Sequence, residues 1–305
     1  EMTNSYELGT SLALGASGSA RGALLAHTRV EESAADQAAM SYMAIAGIDG
    51  QGMVDVLNIF IGQDNLSAGR QDPYARSHPL SQDRLRVVKG YVKNQPKPKD
   101  KTMARYWHDR AIGKLSAFLR SSEWTLKNAQ NSSYNDVRHL RRSVALSRQG
   151  KLNEAIIEIE KAQHLKPKDA YLQELKAELY MRHKQFRRAA REYEKASELD
   201  PANALILAGY GRALLAARQN TKALAILKKS RERDFRNTRM MRDLAVAFSK
   251  TGENGMASLI TAERFALEGK IKDAQIHARR ALAALPRGSP GWQNAEDILD
   301  FEIDK

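Results

Sequence analysis

The sequence contains no cysteine among its 305 residues. This absence excludes disulfide bonds, zinc sites built from thiolates and cysteine nucleophiles, while oxidising surroundings are permitted but not shown. The chain also lacks an apolar run long enough to span a bilayer, and it lacks the basic segment and apolar core of a signal peptide. Because the sequence opens with Glu1 and not with methionine, we interpret it as an excerpt or mature piece of something longer.

Acidic residues are fewer than basic ones, 36 against 49, so the formal net charge is +13. A positive balance favours acidic partners. The basic residues are nevertheless spread along helices together with acids, as in "MRHKQFRRAAREYEKASELD", which is typical of solvated helix faces. No RNA-recognition signature, basic zipper or zinc finger accompanies them. We therefore predict no nucleic-acid binding, and anionic membrane surfaces or acidic client proteins remain open as partners.

The carboxy-terminal half repeats with the 34-residue period of tetratricopeptide repeats. Pro167 and Pro201 are one period apart. Small and bulky residues recur at the same interval: Ala155, Ala189, Ala223 and Ala257, then Ile159, Tyr193 and Leu227, then Ala162, Ala196 and Ser230. The small residues let two antiparallel helices approach closely, and the proline closes the second helix of a pair. Core packing explains all these positions.

The fourth unit departs from this period, because a second Gly-Lys turn places the matching Ala274 only 17 residues after Ala257. We expect one helix to be shared between neighbouring pairs there. A final helix in "GWQNAEDILDFEI" would cap the open end, with Trp292 and Ile298 packed inward and its acids outward. In such a stack the first helices of successive pairs line a concave groove that suits an extended or helical peptide. The sequence therefore predicts protein or peptide clients for this region.

Near the amino terminus, "TRVEESAADQAAMSYMAIAG" at residues 28 to 47 sets three acids into an apolar run. Thr28 and Glu31 have the spacing of a capping box, which explains Glu31 without chemistry. Glu32 and Asp36 lie four residues apart and share a helix face with Ala39 and Met43, and we expect this face to be buried. A buried carboxylate needs a partner, and a metal ion or a histidine cluster is one such partner.

The alternative is a surface pair between Arg29 and Glu32 with Asp36 solvated, which helix geometry alone does not exclude. A second helix is predicted in "GMVDVLNIFIG", packed on the first, with an apolar side made of Met53, Leu57, Phe60 and Ile61. Two X-Pro steps in "RQDPYARSHPL" then predict an extended loop that contains His78, before Ser81 starts another helix.

The motifs "VEESAADQAA", "AGIDGQGM" and "SHPLSQDRL" resemble the segment downstream of the H-E-x-x-H helix in the zinc metallopeptidases related to the CAAX prenyl endopeptidases. With a tetratricopeptide tail they resemble, more narrowly, the group of periplasmic beta-barrel assembly-enhancing proteases. The tail is similar as well, in "YLQELKAELY", "GMASLITAERFALEGKIKDAQIHARRAL" and "LPRGSPGW". The resemblance covers nearly the whole chain and is weakest from "NQPKPKDK" to "NAQNSSYND".

The resemblance implies roles for three residues. Glu32 would be the third zinc ligand, and Asp36, one turn on, would be the acceptor that orients a zinc-bound histidine. His78, in the His-Pro loop, would approach the metal as an additional ligand, with a solvated loop histidine as the alternative. The implied cofactor is zinc, the implied reaction is peptide-bond hydrolysis of misassembled protein clients, and the implied location is the Gram-negative periplasm, with outer-membrane assembly proteins as partners.

The sequence departs from that family because none of its seven histidines belongs to an H-E-x-x-H and none has another at the i, i+4 spacing that chelates zinc from a helix. This chain alone is therefore predicted to be inactive, with truncation or omission of an upstream segment favoured over a degenerate protease. Two functions stay open: part of a zinc metalloendopeptidase of the cell envelope, or a non-catalytic tetratricopeptide scaffold for envelope protein assembly.

The predicted fold class is all-α, a remnant of a helical zinc-metallopeptidase domain followed by a tetratricopeptide helical solenoid. We place the carboxy-terminal part of the metallopeptidase domain at residues 1–95 and a linker with connecting helices at residues 96–135. The repeats with their capping helix are placed at residues 136–305.

Overall fold

The computed structural model describes residues 30–60, 82–95 and 102–300. Over these ranges the chain is helical and contains no strand, which confirms the all-α prediction. The chain divides between Met103 and Ala104 into two compact units, an amino-terminal unit and a repeat unit, and we describe each by itself. No helix in the described ranges is long and apolar enough to cross a membrane.

The described part of the amino-terminal unit consists of three helices: α1 at residues 30–45, α2 at Gln51–Phe60 and α3 at Gln82–Asn94. Gly47 follows α1 with a φ of 67°, a conformation that glycine adopts without strain, and so ends the helix. The helices share one apolar cluster, made of Met40, Val54, Leu57, Leu85 and Val88. The predicted packing of α2 on α1 is confirmed by this cluster.

The repeat unit continues through twelve helices, counted over residues 102–300. The first two are α4 (Thr102–Leu119) and α5 (Ser122–Ala129). Paired helices follow: α6 (Asn135–Arg148) with α7 (Leu152–Leu165), α8 (Ala170–Arg182) with α9 (Phe186–Leu199), α10 (Ala204–Ala216) with α11 (Asn220–Arg233), and α12 (Thr238–Lys250) with α13 (Asn254–Leu267). The last two are α14 (Ile271–Ala284) and α15 (Pro290–Leu299).

The repeated small residues are buried in the helix pairs. Ala155, Ala189 and Ala223 are fully buried, which confirms their predicted role. The second small positions and the bulky positions are buried too: Ala162, Ala196 and Ser230, and Ile159, Tyr193 and Leu227. Helices α7 and α9 end at Leu165 and Leu199, two residues before the predicted terminating prolines.

Two further periodic features appear in the structure. The turn inside each pair contains one left-handed residue, and these residues recur at the repeat period: Gly150, Lys184, Arg218 and Gly252, with φ between 59° and 89°. The first helices of three pairs begin with a side-chain cap at the same interval, from Asp169, Asn203 and Asn237. Each cap satisfies backbone N–H groups that the helix leaves without a partner.

The fourth pair deviates as predicted, because α13 packs on both α12 and α14. Ala257 is only half-buried there, while Gly255 is buried beside Leu285. Helix α15 covers the end of the stack with Ile298 buried and its acids exposed. Trp292 was expected to pack inward but is half-buried, and Ala295 occupies the fully buried position.

Candidate functional site

The acids of α1 meet an arginine of α3. Arg84 Nε lies 2.8 Å from Asp36 Oδ2, and Arg84 Nη2 lies 2.9 Å from Asp36 Oδ1. The same Nη2 is 3.0 Å from Glu32 Oε2. Arg84 and Asp36 are 6% and 5% exposed, so the group is shielded from water. Bidentate pairing of this kind fixes the Asp36 carboxylate in direction as well as distance.

This cluster decides between the two interpretations of the acids. The alternative in which Asp36 is solvated is wrong, because Asp36 is buried and ion-paired. The predicted buried face is present, with Ala39 and Met43 half-buried, but its most buried residue is Met40, which the pattern missed. The required partner is a guanidinium, where the sequence suggested a metal ion or a histidine cluster.

A signal for Arg84 was present in the sequence. In α3, Arg84 and Val88 are four residues apart, so Arg84 lies on the apolar stripe of its helix. An arginine on a buried stripe needs an acid opposite, just as the acids of α1 need a cation. The Thr28–Glu31 capping box, Ile61, His78 and Ser81 cannot be compared in the same way, because Thr28, Ile61, His78 and Ser81 lie outside the described residues.

The described histidines belong to the repeat unit, and several have identifiable neighbours there. His139 Nδ1 lies 2.8 Å from Glu158 Oε2, and His183 Nε2 lies 3.1 Å from the Ser147 hydroxyl. His277 packs its ring against Phe265. His139 links the two helices of one pair, whereas His183 and His277 contact α6 and α13 respectively, and these contacts do not gather the histidines together.

A second group of buried charges attaches α4 to the repeats. Arg110, which is 5% exposed, donates to both carboxylate oxygens of Asp169, the residue that also caps α8. Burial acts to lower the pKa of Arg110, but the hydrogen bond and charge of Asp169 outweigh it, so the pKa is raised. Tyr106 donates to Asp136 Oδ2 at 2.6 Å. Burial and this hydrogen bond raise the pKa of Tyr106 to about 12.

Helix α4 lies along the first helices of the first two pairs, α6 and α8. Gly113 faces Val137 of α6 so closely that an added Cβ would be 2.9 Å from Val137 Cγ1. Lys114 Nζ is 4.0 Å from Glu178 Oε2 of α8. At the carboxy-terminal end of α4, Arg148 of α6 donates to the Ala117 carbonyl at 2.8 Å. Helix α4 therefore contacts the first helices of both pairs.

Two family models match separate parts of the chain. Residues 2–92 match the sequence model of peptidase family M48, and residues 180–245 match a model of the tetratricopeptide repeat. The chain is similar to an M48 peptidase with a tetratricopeptide tail. The predicted resemblance is thereby confirmed, and the protein is peptidase-related, with a repeat region of the kind that binds proteins.

Solved structures similar to this chain are repeat proteins. MamA residues 41 to the end, from Desulfovibrio magneticus RS-1, is 19% identical with a TM-score of 0.45, covering 53% of this chain and 93% of that one. A thermophilic tetratricopeptide protein from Thermus thermophilus is 18% identical with a TM-score of 0.38, covering 54% and 98%. No curated protein matches the chain.

Peptidases of family M48 depend on zinc in general, so the M48-like segment must be tested for a zinc site. Within the described residues no three histidine or acidic side chains are grouped to hold a metal ion. Glu32 offers a carboxylate, and its Oε2 faces Arg84. A carboxylate can accept from a guanidinium through one oxygen and ligate a metal through the other. The described residues thus contain one candidate ligand but not a complete zinc site.

Proposed function

We propose that this chain is the greater part of a zinc metalloendopeptidase of the Gram-negative cell envelope, acting in the periplasm on misassembled or stalled protein clients. The observation that supports the proposal is the buried Glu32–Arg84–Asp36 cluster inside a segment that matches family M48, in the same chain as a tetratricopeptide array. The peptidase segment accounts for the hydrolysis, and the repeat groove accounts for client binding.

In this proposal each residue of the cluster has its own task. Glu32 contributes one zinc ligand, and Arg84 holds its carboxylate in place through Oε2. Both carboxylate oxygens of Asp36 accept hydrogen bonds from Arg84, so Asp36 fixes the position of the guanidinium group. That Asp36 also orients a zinc-bound histidine stays a prediction. His78 as an additional ligand also stays a prediction. Zinc, when bound, polarises the scissile carbonyl and lowers the pKa of a bound water.

The test compares neighbouring acids in a protein in which an H-E-x-x-H helix precedes this chain. Glu32→Gln should abolish chelator-sensitive cleavage of casein while the fold is retained, because a neutral amide is a poor zinc ligand. Glu31→Gln should retain activity, because Glu31 is exposed and its predicted capping role is worth on the order of 1 kcal/mol. Equal loss of activity in both variants would contradict the assignment of the ligand.

The chain by itself should bind zinc weakly and cleave nothing, since it lacks a histidine pair at chelating spacing. Casein cleavage by the isolated chain that a chelator inhibits would contradict this.

The second candidate is a non-catalytic scaffold, in which the groove alone binds outer-membrane assembly proteins or clients, at or away from a membrane surface. The observation that favours it is the ion pairing of Arg84 with Glu32 and Asp36, which gives these carboxylates a cation that belongs to the chain itself. The two candidates predict different results for one experiment. If the protein with a preceding H-E-x-x-H helix binds clients but leaves them uncut, the scaffold is the better description.

A further inference from the structure

Helix α4 turns its larger apolar residues to solvent. Its buried side consists of residues that are polar or small: Tyr106, Arg110, Gly113 and Ala117. Its exposed side carries four large apolar residues: Trp107, Ile112, Leu115 and Leu119. An amphipathic helix of a globular domain has the reverse arrangement, with its apolar stripe toward the core. An apolar helix side that faces water in this way marks an interaction surface.

The exposed apolar residues of α4 form one continuous band. At about 100° per residue they occupy an arc of roughly 140° around the helix axis. At a rise of about 1.5 Å per residue the band extends about 18 Å, from Trp107 to Leu119. Leu115 and Leu119 are the residues with the least support, since they are 54% and 73% exposed.

Aromatic side chains extend this band beyond α4. Tyr171, at the start of α8, is exposed, and its ring stands edge-on to Trp107 with the ring centroids 6.3 Å apart. An open cleft of about 680 Å³ lies between Trp107, Leu115 and Tyr171. Beyond the end of α4, Trp124 of α5 is exposed as well. We call these residues the α4 surface: Trp107, Ile112, Leu115, Leu119, Trp124 and Tyr171.

The exposed charges at the edge of the α4 surface are mostly positive. Four cations are exposed there: Arg105, Arg120, Lys166 and Lys168. Arg120 lies over the Trp124 ring, 5.6 Å from its centroid, and the two lysines line a second cleft beside Trp107. The acids in these segments are mostly withdrawn from water: Asp109, Asp169 and Asp200 are half-buried, and the exposed Glu123 accepts a hydrogen bond from Gln149.

We propose that the α4 surface docks on an anionic membrane surface. Tryptophan and tyrosine prefer the headgroup level of a bilayer, where the ring lies among apolar groups and the N–H or O–H reaches water. Helices that lie in this interface combine an apolar side with flanking cations, and each cation adds attraction to anionic lipid. A second copy of the chain would bring the same cations to the same edge, so like charges disfavour it as the occupant.

This inference goes beyond the proposed function, because it concerns where the protein is held and requires neither zinc nor client binding. The test sediments the full chain with vesicles of phosphatidylcholine, with or without phosphatidylglycerol. We expect the protein to sediment with the vesicles that contain phosphatidylglycerol and to remain in solution with phosphatidylcholine alone. Binding should weaken as the salt concentration rises, because salt screens exposed charges.

Two pairs of variants locate the docking surface. Leu115→Glu should weaken vesicle binding by at least about tenfold, whereas Leu205→Glu makes the same change at an exposed leucine of α10 and should have no effect. Replacing Arg105 and Arg120 together by glutamine should also weaken binding by about tenfold or more. The same double replacement of Arg279 and Arg280, which are exposed on α14, is the control.

Tryptophan fluorescence gives a readout of contact that does not depend on affinity. The chain has three tryptophans, and two of them lie on the α4 surface. With Trp292→Phe, brominated lipid should quench the emission of Trp107 and Trp124. With Trp107→Phe and Trp124→Phe together, the emission of Trp292 should not be quenched. Circular dichroism checks the fold of every variant, and Leu119→Glu replaces Leu115→Glu if the latter does not fold.

The contrary outcomes are distinct. Vesicle binding that neither Leu115→Glu nor Leu119→Glu weakens would overturn the α4 surface as the site. Equal binding to both kinds of vesicle would overturn the role of the cations, and absence of binding to either would overturn the membrane altogether. A protein partner or a second copy that binds in the absence of vesicle binding, and is lost in Leu115→Glu, would replace the membrane as the occupant.

Discussion

The amino-terminal unit and the repeat unit each contain a buried arginine that binds carboxylates on a distant helix. Arg84 binds Glu32 and Asp36, and Arg110 binds Asp169. In the described part of the amino-terminal unit the apolar core consists of five buried side chains, so the charged cluster is a large part of the interior. In the repeat unit Arg110 lies beside cores that recur along the stack. In the described residues the amino-terminal unit thus has one apolar cluster beside its charged cluster, whereas the repeat unit has several apolar clusters along the stack.

The largest expected effect comes from removing Arg84. Arg84→Met removes the cation that buried Asp36 and half-buried Glu32 share, and breaking a buried ion pair typically costs about 3–5 kcal/mol. Arg86→Met is the matched control two residues away, because Arg86 is 78% exposed and its pair with Asp83 is worth at most about 1 kcal/mol. Hydrogen exchange should show lost protection around residues 30 to 60 in Arg84→Met only.

A triple variant identifies the cause of that loss. Replacing Glu32 and Asp36 by leucine together with Arg84→Met removes the three charges of the cluster at once, and such replacements are often neutral or stabilising. We expect the triple variant to recover most of the protection that Arg84→Met loses. If the triple variant were as unstable as the single one, the shape of the cluster and not its charge would be the determining factor.

The second largest effect is expected for the ion pair between Arg110 and Asp169 in the repeat unit. Asp169→Ala removes the cap of α8 and the partner of Arg110 together, so we expect a loss of roughly 2–4 kcal/mol. Asn203→Ala removes only the equivalent cap of α10, at about 1 kcal/mol. Asp169→Asn keeps a capping oxygen but loses the charge and should fall between them. Urea unfolding of the three variants gives the comparison.

The two arginines also show what the sequence could and could not predict. The repeat period predicted that the alanines at 155, 189 and 223 are buried. The same packing contact occurs in each helix pair, so the residue type recurs at a fixed interval in the sequence. Arg84 was missed because its partners are 48 and 52 residues earlier, and a single long-range contact leaves no period. The ion pair that attaches α4 to the repeats was not predicted for the same reason, because Arg110 and Asp169 are 59 residues apart.

In the candidate site, too, the sequence predicted some features and not others. Glu32 and Asp36 were found by their helical spacing on an apolar face, and their burial follows from that pattern. The identity of their partner did not follow, because a guanidinium, a histidine or a metal ion each satisfies a buried carboxylate.

The third effect tests whether the repeat unit distributes its stability. Ala189→Leu overpacks a fully buried contact and should cost typically about 1–3 kcal/mol. Ala225→Leu is the control, because Ala225 is exposed on α11. Hydrogen exchange should show lost protection for Ala189→Leu within residues 136 to 300 and retained protection at residues 30 to 60. Uniform loss in both ranges would mean that the two units unfold together, and the division between them would be withdrawn.

The smallest effect concerns the left-handed turn inside each helix pair. Gly150 and Lys184 occupy equivalent turns with φ of 82° and 59°, and an L-residue there typically costs about 1–2 kcal/mol. Gly150→Ala should therefore destabilise the protein although no atom lies within 4 Å of the added methyl group. Lys184→Gly should relieve the strain, partly offset by the greater entropy of glycine in the unfolded chain. Thermal unfolding should show a lower free energy of unfolding for Gly150→Ala and a higher one for Lys184→Gly, with a net change of about 1 kcal/mol or less in each variant. If both variants were destabilised alike, the Lys184 side chain would contribute a contact of its own, and the turns would not be equivalent.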